Sequence, residues 1–323
     1  MNSTNDQELI LFNLNFISTI ILTAICLIGN TTVIYIFLKP EFQKVPMFNY
    51  LIATTIADTL NLLANWPTVY PDAFLINQLS ISCKMFYFFF YVPFQMTPWL
   101  LTLSSLDRYL SVKYPTSLRF RNKIKYQYLA IMLLTISICF INIPIVIYHD
   151  IGAKSGCSTT SFAVQFKLDI FNLLFATLIP FVLMIFTTSL IWIELVKKRA
   201  KIGKEKREKL KYRKEVKLIK ILCIMDLYFL ACNLPYVTLV VINDAQGVDS
   251  LNSIGLYIAD IFAYIFSSCD CFIYFFFNRL FRKHVLSIIH LTHKHFENRL
   301  LELGNISMSK RSNLSIRLSQ LRQ

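Results

Sequence analysis

The stretch that decides the fold is CKMFYFFFYVPFQMTPWLLTLSSLDRY, residues 83–109. Cys83 opens it, Asp107-Arg108-Tyr109 closes it, and Arg108 lies 25 residues after Cys83. Most residues between them are apolar or small. At about 1.5 Å per residue, a helix of this length covers the roughly 30 Å bilayer core and part of its interfaces. One membrane helix with a cysteine at one mouth and an Asp-Arg pair at the other favours a receptor over a pump or an enzyme.

The composition of the whole chain is typical of a protein that crosses the membrane several times. Of its 323 residues, 55% are hydrophobic and 16% charged, and the mean hydropathy is +0.51. Soluble domains are rarely so apolar throughout, whereas each membrane helix satisfies its own backbone hydrogen bonds. No early segment combines a basic start, a short apolar core and a small-residue cleavage site. The first apolar run is therefore predicted to be a retained span.

The net charge of +14 does not indicate nucleic-acid binding. A nucleic-acid partner needs a basic patch on a soluble face, but Lys and Arg cluster here in short links between apolar segments. The cysteines do not form a metal-binding pattern either. Six of the eight lie inside apolar runs, where they are expected to be small buried hydrophobes. Only Cys83 and Cys157 lie at predicted segment ends or in loops.

Seven apolar segments are long enough to cross a bilayer, and alternate links between them are rich in Lys and Arg. The segments are 15–38, 48–70, 81–112, 127–148, 168–196, 216–243 and 253–277. The basic links follow segments one, three and five, which places the N-terminus outside and the C-terminus in the cytoplasm. The predicted fold is an all-α membrane protein: a seven-transmembrane helix bundle with a short amphipathic eighth helix.

The chain is divided accordingly into four parts. Residues 1–14 form an extracellular N-terminus, which carries a glycosylation sequon at Asn2. Residues 15–277 form the bundle. Residues 278–302 have apolar and basic residues at helical spacing and are predicted to lie on the lipids of the inner leaflet. Residues 303–323 are polar, rich in serine and predicted to be disordered.

Polar residues inside the segments point to a shared intramembrane site. Asn30, Asp58 and Asp270 lie within segments one, two and seven, and an ionisable group at mid-bilayer costs about 2.5–3.5 kcal/mol. Two interpretations fit. The three side chains form ordinary interhelical hydrogen bonds, or the two carboxyl groups share a Na⁺ ion or a proton because both are hard to ionise at once. Asp226 in segment six has no account at this stage.

With these residues in view, the chain resembles the rhodopsin-like family of G-protein-coupled receptors over essentially all seven segments. Each motif is weak by itself, but their order and spacing together are specific. The matching residues are Gly29-Asn30, Asp58, Cys83, Asp107-Arg108-Tyr109, Pro180, Phe229, Cys232, Pro235 and Asp270-Cys271-Phe272-Ile273-Tyr274.

The resemblance implies roles for several of these residues. It pairs Cys83 with Cys157 in a disulfide. It makes Arg108 the residue that holds the receptor off through Asp107 and Glu215 and then engages the G protein. The alternative for Glu215 is a lone acid that neutralises its basic neighbours.

The resemblance also implies moving parts, and the chain departs from the family at some of them. Phe229 and Pro235 belong to the switch of segment six, where a proline lacks its amide donor and kinks the helix. Tyr274 is expected to swing inward on activation. The departures are Asn233 for a tryptophan beside the ligand pocket, Cys271 for a proline and Thr188 for a tyrosine, and they put the exact switch mechanism in doubt.

The candidate ligand pocket is aromatic and acidic. Phe90 stands where amine receptors of the family carry an aspartate, which argues against a monoamine ligand. Phe90, Phe94 and Tyr236 either line an aromatic pocket, beside Asn233, or pack as ordinary core. Asp260 and Tyr264 share one face of segment seven, and a carboxylate there could pair with a basic ligand group. These features favour a peptide ligand, such as a basic or amidated neuropeptide.

The predicted function is that of a receptor, not an enzyme, which converts binding of an extracellular ligand into heterotrimeric G-protein activation at the plasma membrane. No cofactor is expected, apart from Na⁺ at Asp58 and Asp270. The tail serines suggest an arrestin contact if they are phosphorylated. The alternatives are a decoy receptor that does not couple and, further off, a proton-coupled transporter, which would need internal repeats or Gly-rich broken helices that are not seen.

Overall fold

The long helices of the computed structural model follow the apolar runs of the sequence. The structure describes residues 2–69, 73–114, 124–152, 156–159, 161–201, 206–246, 253–292 and 294. Its helices are α1 (Asn2–Phe37), α2 (Pro40–Gln43), α3 (Met47–Ala64), α4 (Trp66–Val69), α5 (Ser80–Lys113), α6 (Ile124–Ile141), α7 (Ile143–Tyr148), α8 (Phe162–Asn172), α9 (Ile179–Lys201), α10 (Lys206–Gln246), α11 (Ser253–Phe277) and α12 (279–292). A π-helical turn, Leu173–Leu178, joins α8 to α9.

Within the described residues, five helical stretches are both long enough and apolar enough to cross a membrane. They are Phe16–Phe37, Lys125–Tyr148, Ala163–Arg199, Glu208–Asn243 and Gly255–Phe277. The two remaining long helices are α3, with 18 residues, and α5, with 34. Buried polar side chains lower the hydropathy of both. These seven stretches correspond to the seven predicted segments, so the predicted fold class is confirmed.

The helices pack as a ring around α5. Neighbours in the ring are α1 and α3, α9 and α10, α10 and α11, and α11 and α1. α5 contacts α3, α6, α9 and α10, and it buries Arg108 together with Leu100 and Leu101. The helix quoted at the start of the sequence analysis is therefore the central element of the bundle.

Prolines and their neighbours explain two boundaries that differ from the predicted ones. Segment two ends at Ala64 rather than at 70, and the short helix α4 follows it with Pro67 in its first turn. Segment four is interrupted at Asn142, and α7 restarts with Pro144 at its N-terminus. A proline is tolerated in the first turn of a helix, where its missing amide is not needed.

The link between segments five and six is shorter than the sequence predicted. The predicted segments leave a basic link from 197 to 215. In the structure, α9 continues to Lys201 and α10 begins at Lys206, and residues 202–205 lie outside the described part. Lys, Glu and Arg are good helix formers, so the helices continue where their hydrophobic pattern stops.

Two short strands add an element that the all-α prediction missed. β1 (His149–Gly152) and β2 (Gly156–Thr159) pair antiparallel, with Ile151 opposite Cys157. The hairpin packs against α5. It gives Cys157 a fixed position next to the first turn of α5.

The C-terminal part of the chain forms a second compact unit, which begins at Asn278. Asn278 caps α12, since its side-chain oxygen accepts hydrogen bonds from the amides of Leu280 and Phe281 at 3.1 and 3.2 Å. Leu286, Ile289 and other apolar side chains of α12 are exposed. Residues 295–323, including the predicted tail, lie outside the described part.

Candidate functional site

The Asp107-Arg108-Tyr109 motif lies at one end of α5 and is joined to α10. The Arg108 guanidinium donates a hydrogen bond to the Glu215 carboxylate, and the two form an ion pair. The Arg108 side chain is 6% exposed and that of Glu215 27%. Asp107 is buried beside it and acts electrostatically on the guanidinium. We call this part of the bundle the Arg108 end.

A second contact at the Arg108 end joins α5 to α9. The Lys198 ammonium donates to the backbone carbonyl of Val112. Beneath it, Val112 forms a buried cluster with Ile191 and Leu195 of α9 and Ile219 of α10. Three helices therefore meet around Arg108, and any outward movement of α10 has to break the ion pair.

The other switch residues of the sequence analysis lie within the bundle. Tyr274 is fully buried, and its ring centroid lies 4.9 Å from that of Phe37 in α1. Phe229 packs edge-on against Phe266, with ring centroids 5.5 Å apart. Pro235 lies in the interior of α10. These contacts tie α11 to α1 and to α10.

The intramembrane polar residues come together as the sequence predicted, around Ser267 of α11. The Thr97 hydroxyl donates to Asp58 Oδ1 at 2.7 Å, and the Ser267 hydroxyl lies 3.5 Å from the same oxygen. Asn30 Nδ2 donates to the Ser267 carbonyl at 3.2 Å. Asp270 is fully buried, and Asp58 acts electrostatically on it.

Four oxygen atoms of this cluster are buried without a hydrogen-bond partner within the described part of the chain. They are Asn30 Oδ1, Asp58 Oδ2 and both carboxyl oxygens of Asp270. Buried polar atoms are normally satisfied. Ordinary interhelical hydrogen bonding therefore accounts for only part of the cluster. The atoms left unsatisfied are all oxygens, which could act as ligands of a cation.

Asp226 now has a structural account. It is 4% exposed in α10, and its Oδ2 accepts a hydrogen bond from the Thr188 hydroxyl of α9 at 3.3 Å. Its Oδ1 is buried without a hydrogen-bond partner in the described structure. Thr188 and Asp226 thus link α9 and α10 where the sequence analysis noted a missing tyrosine.

The opposite end of the bundle is held by the disulfide that the resemblance implied. Cys83 and Cys157 are bonded, and Asn77 Oδ1 accepts a hydrogen bond from the Cys157 amide at 3.0 Å. Asp150 of β1 lies 3.4 Å from the Lys84 ammonium. Hydrogen bonds from the Ser80 hydroxyl and the Ile151 amide, together with Lys84, lower the pKa of Asp150. We call this the disulfide end.

His149 of β1 is buried at the disulfide end. Its ring centroid lies 4.0 Å from that of Tyr87 in α5, and its Nδ1 lies 2.9 Å from the Ile145 carbonyl. Burial lowers the pKa of the imidazole. No sequence motif pointed to this histidine.

A small cavity lies about two helical turns below the disulfide. It has a volume of about 30 Å³, and three of the predicted pocket residues, Phe90, Phe94 and Tyr236, line it. Asp169 and Asn172 of α8 line it as well and were not predicted. The signal that could have identified Asp169 was its position as an ionisable residue inside an apolar run.

The three other predicted pocket residues do not line this cavity. Asn233 is buried, and its side chain donates to the Phe229 carbonyl at 3.0 Å. Tyr264 packs in a buried cluster with Leu22 and Cys26 of α1. Asp260 acts electrostatically on both Tyr236 and Tyr264, so it is near the cavity without forming its wall.

A larger cavity of about 250 Å³ lies elsewhere at the disulfide end. It is lined by apolar residues that include Pro67, Phe74 and Met85. No predicted site residue lines it. The side chain of the last predicted residue, Asn2, lies outside the described part, although its backbone is the start of α1.

Comparison with known proteins places this arrangement in a family. Residues 29–274 match the family described as 7 transmembrane receptor (rhodopsin family), so the match runs from within segment one to within segment seven. The chain belongs to the rhodopsin family of seven-transmembrane receptors. It is therefore a multi-pass membrane receptor and not an enzyme.

One relative of the receptor is the human uracil nucleotide/cysteinyl leukotriene receptor. The two are 25% identical over 236 residues, which is 71% of this chain and 62% of the relative. The match thus spans less than two thirds of the relative's length. It supports the family but does not carry the relative's ligands over to this chain.

Proposed function

We propose that the receptor converts binding of an extracellular ligand at the disulfide end into activation of a heterotrimeric G protein at the Arg108 end. The observation that carries the proposal is the ion pair between Arg108 of α5 and Glu215 of α10. It lies at the end of the bundle opposite the disulfide, and basic residues concentrate in the links at that same end. By the positive-inside rule these links are cytoplasmic.

In this proposal the ion pair holds the inactive arrangement. Arg108 is almost fully buried, so it can meet a cytoplasmic partner only after α10 moves away. Pro235 provides a hinge because a proline inside a helix leaves the preceding turn without one hydrogen bond. Tyr274 and Phe229, which tie α11 to its neighbours, change their contacts in the same movement.

We propose a peptide with a basic group as the ligand. Asp260 supplies a carboxylate near the aromatic residues that line the small cavity. Among the described residues that line this cavity, none is Lys or Arg. A nucleotide carries negative phosphates and needs such residues, so the nucleotide in the human relative's name fits this cavity poorly.

The buried cluster around Asp58 and Asp270 supports a bound cation or a shared proton. Its unsatisfied atoms are all oxygens, which are the ligands that hard cations such as Na⁺ prefer. Asn30, Asp58 and Asp270 are the residues that would hold the ion. A cation there offsets the repulsion between the two carboxylates and stabilises the packing of α1, α3 and α11.

The remaining assignments follow from this orientation. The receptor resides in the plasma membrane with its N-terminus outside, where Asn2 can be glycosylated, and with its C-terminus in the cytoplasm. The exposed apolar side chains of α12 suit an inner-leaflet location. Serines beyond residue 303 are available for phosphorylation and an arrestin contact.

The test needs no ligand. We would measure basal nucleotide exchange on a panel of G proteins for the wild type, Glu215→Ala, and Glu215→Ala combined with Arg108→Ala, at matched surface expression. Losing a partner in this half-buried ion pair costs the inactive arrangement about 1–2 kcal/mol. We therefore expect Glu215→Ala to raise basal exchange by about 5- to 30-fold on the coupled G protein, and the second substitution to abolish the rise.

The matched control is Glu194→Ala. Glu194 also lies in an ion pair, with Lys197 at 3.2 Å, but both belong to α9. Its loss should leave basal exchange unchanged. If every variant is silent on every G protein while the receptor reaches the surface, G-protein coupling is wrong and a decoy or a transporter becomes the better interpretation.

A further inference from the structure

The small cavity has the size of a functional group and not of a whole ligand. Its volume of about 30 Å³ exceeds the roughly 10–15 Å³ that a cavity needs to admit one water-sized group. It opens among α5, α8 and α10, and the residues that line it include Phe90, Tyr91, Phe94, Asp169, Asn172 and Tyr236. An ammonium group is small enough to enter this space.

Asp169 is the charged residue in the wall of the cavity. It is 4% exposed, and its Oδ2 accepts a hydrogen bond from Gln165 Nε2 at 2.8 Å, one turn earlier in α8. A carboxylate held this far from water favours a positive charge beside it, because the attraction is weakly screened there. The hydrogen bond from Gln165 helps to hold the side chain in place.

Aromatic residues form most of the remaining wall. The faces of Phe and Tyr rings carry negative charge density and attract cations, with an effect that grows when the site excludes water. The carboxylate of Asp169 also acts on the hydroxyl groups of Tyr91 and Tyr236. A buried carboxylate among aromatic rings is a combination that recognises cations and repels anions.

Asn172 ties this wall to the centre of the bundle. Gln95 Nε2 donates to Asn172 Oδ1 at 2.7 Å, and Asn142 Nδ2 donates to Gln95 Oε1 at 2.6 Å. This chain of amides fixes α8 against α5 and α6. The cavity is therefore held open by rigid elements, which is what a selective binding site requires.

Two carboxylates act on Tyr236, and one of them, Asp169, lines the small cavity with it. Both Asp169 and Asp260 act electrostatically on its hydroxyl group, although they come from different helices, α8 and α11. We propose that the ligand carries two cationic groups, one of which enters the small cavity and pairs with Asp169 while the other meets Asp260. This proposal rests on the basic ligand of the proposed function and adds a second, separate cation site.

The test uses simple amines, because the natural ligand is unidentified. The melting temperature of the purified full-length receptor is measured with linear diamines of four to ten carbons, with pentylamine and with pentanoate, each at about 10 mM. A site with a dissociation constant near 1 mM predicts a rise of about 2–3 °C for the best diamine. Pentylamine should raise it less, and pentanoate should have no effect.

Asp169→Asn keeps the shape of the side chain and its acceptor for Gln165 while removing the charge. We expect Asp169→Asn and Asp260→Asn each to weaken binding of the best diamine at least tenfold. The diamine should then bind no better than pentylamine. The control is Asp150→Asn, which removes a partly exposed carboxylate at the same end. This substitution should leave the binding of the diamine unchanged. If Asp169→Asn does not fold, a second variant uses Val240, which also lines the cavity. Val240→Lys places an ammonium there and should block the diamine, whereas Val240→Gln should not.

The outcomes separate the two proposals. If Asp260→Asn removes all amine binding and Asp169→Asn none, the second cation site is wrong and the basic ligand at Asp260 stands. If Asp169→Asn removes binding and Asp260→Asn does not, the cavity stands and the Asp260 anchor fails. If no amine stabilises the wild type, the cavity is not a cation site, and G-protein coupling is judged independently by nucleotide exchange.

Discussion

Replacing Gln95 by leucine should destabilise the receptor by disrupting the amide chain between α6, α5 and α8. Gln95 is fully buried, accepts from Asn142 at 2.6 Å and donates to Asn172 at 2.7 Å. Leucine has a similar size and makes neither hydrogen bond. The perturbation therefore removes two interhelical hydrogen bonds without opening a large void.

The expected loss of stability depends on which polar groups the substitution leaves without a hydrogen-bond partner. Interhelical hydrogen bonds in membranes contribute about 0.6–1.7 kcal/mol each. Asn142 Nδ2 keeps a second acceptor, the Ile138 carbonyl at 2.8 Å, but Asn172 Oδ1 loses its donor, which costs about 1–3 kcal/mol. After allowing for the favourable burial of leucine, we expect a net loss of about 2–4 kcal/mol, or roughly 4–8 °C in melting temperature.

The assay is thermal unfolding of the detergent-solubilised receptor, followed by a thiol-reactive dye. Cys26 and Cys232 are free and buried, so they react only when the bundle opens. Gln78→Leu, on an exposed turn, controls for the substitution itself. Asn172→Leu in the Gln95→Leu background removes the orphaned acceptor, and the double variant should lose less than the sum of the single losses.

Two results would refute the reasoning. One is a change of less than 1 °C in Gln95→Leu, which would mean that the amide chain contributes nothing to stability. The other is strict additivity in the double variant, which would mean that Gln95 and Asn172 do not interact.

Two further predictions concern buried groups that can ionise. Burial lowers the pKa of His149 below its usual 6.5, so the unfolded chain takes up its proton first and stability should fall as the pH drops below about 6.5. His149→Gln should flatten that part of the melting-temperature profile, and an unchanged profile would exclude His149 as its cause. Asp226→Asn should stabilise the receptor by about 1 kcal/mol or more and so raise its melting temperature. The substitution removes an ionisable group and keeps the acceptor for Thr188. A lower melting temperature would show that the carboxyl group is needed.

The sequence predicted the segments because hydropathy and Lys/Arg distribution are properties of single residues. The partner proposed for Arg108 came from the resemblance, whereas the polar site at Asp58 was inferred from ionisable residues inside apolar segments. The sequence did not predict that α8 begins at Phe162. That start is set by Ser161, whose hydroxyl accepts from the Val164 amide at 3.4 Å, and a capping residue leaves no hydropathy signal.

This boundary explains the missed residue in the candidate site. Segment five was predicted to begin at 168, so Asp169 lay one residue inside it and was not identified as a site residue. In the structure it lies two turns inside a helix, at 4% exposure. The hydropathy pattern did not show how far Asp169 lies from the start of its helix. Separately, nothing in the composition of Leu173–Leu178 explains its π-helical turn.

The continuous course of α10 makes it a lever. Glu215 lies 20 residues before Pro235 and Lys206 lies 29 residues before it, which correspond to arms of about 30 and 44 Å at 1.5 Å per residue. A tilt of roughly 10° at Pro235 would displace Glu215 by about 5 Å and the first turn of the helix by nearly 8 Å. A small tilt next to the ligand cavity is thus amplified along the helix, and the displacement is largest at its positively charged first turn.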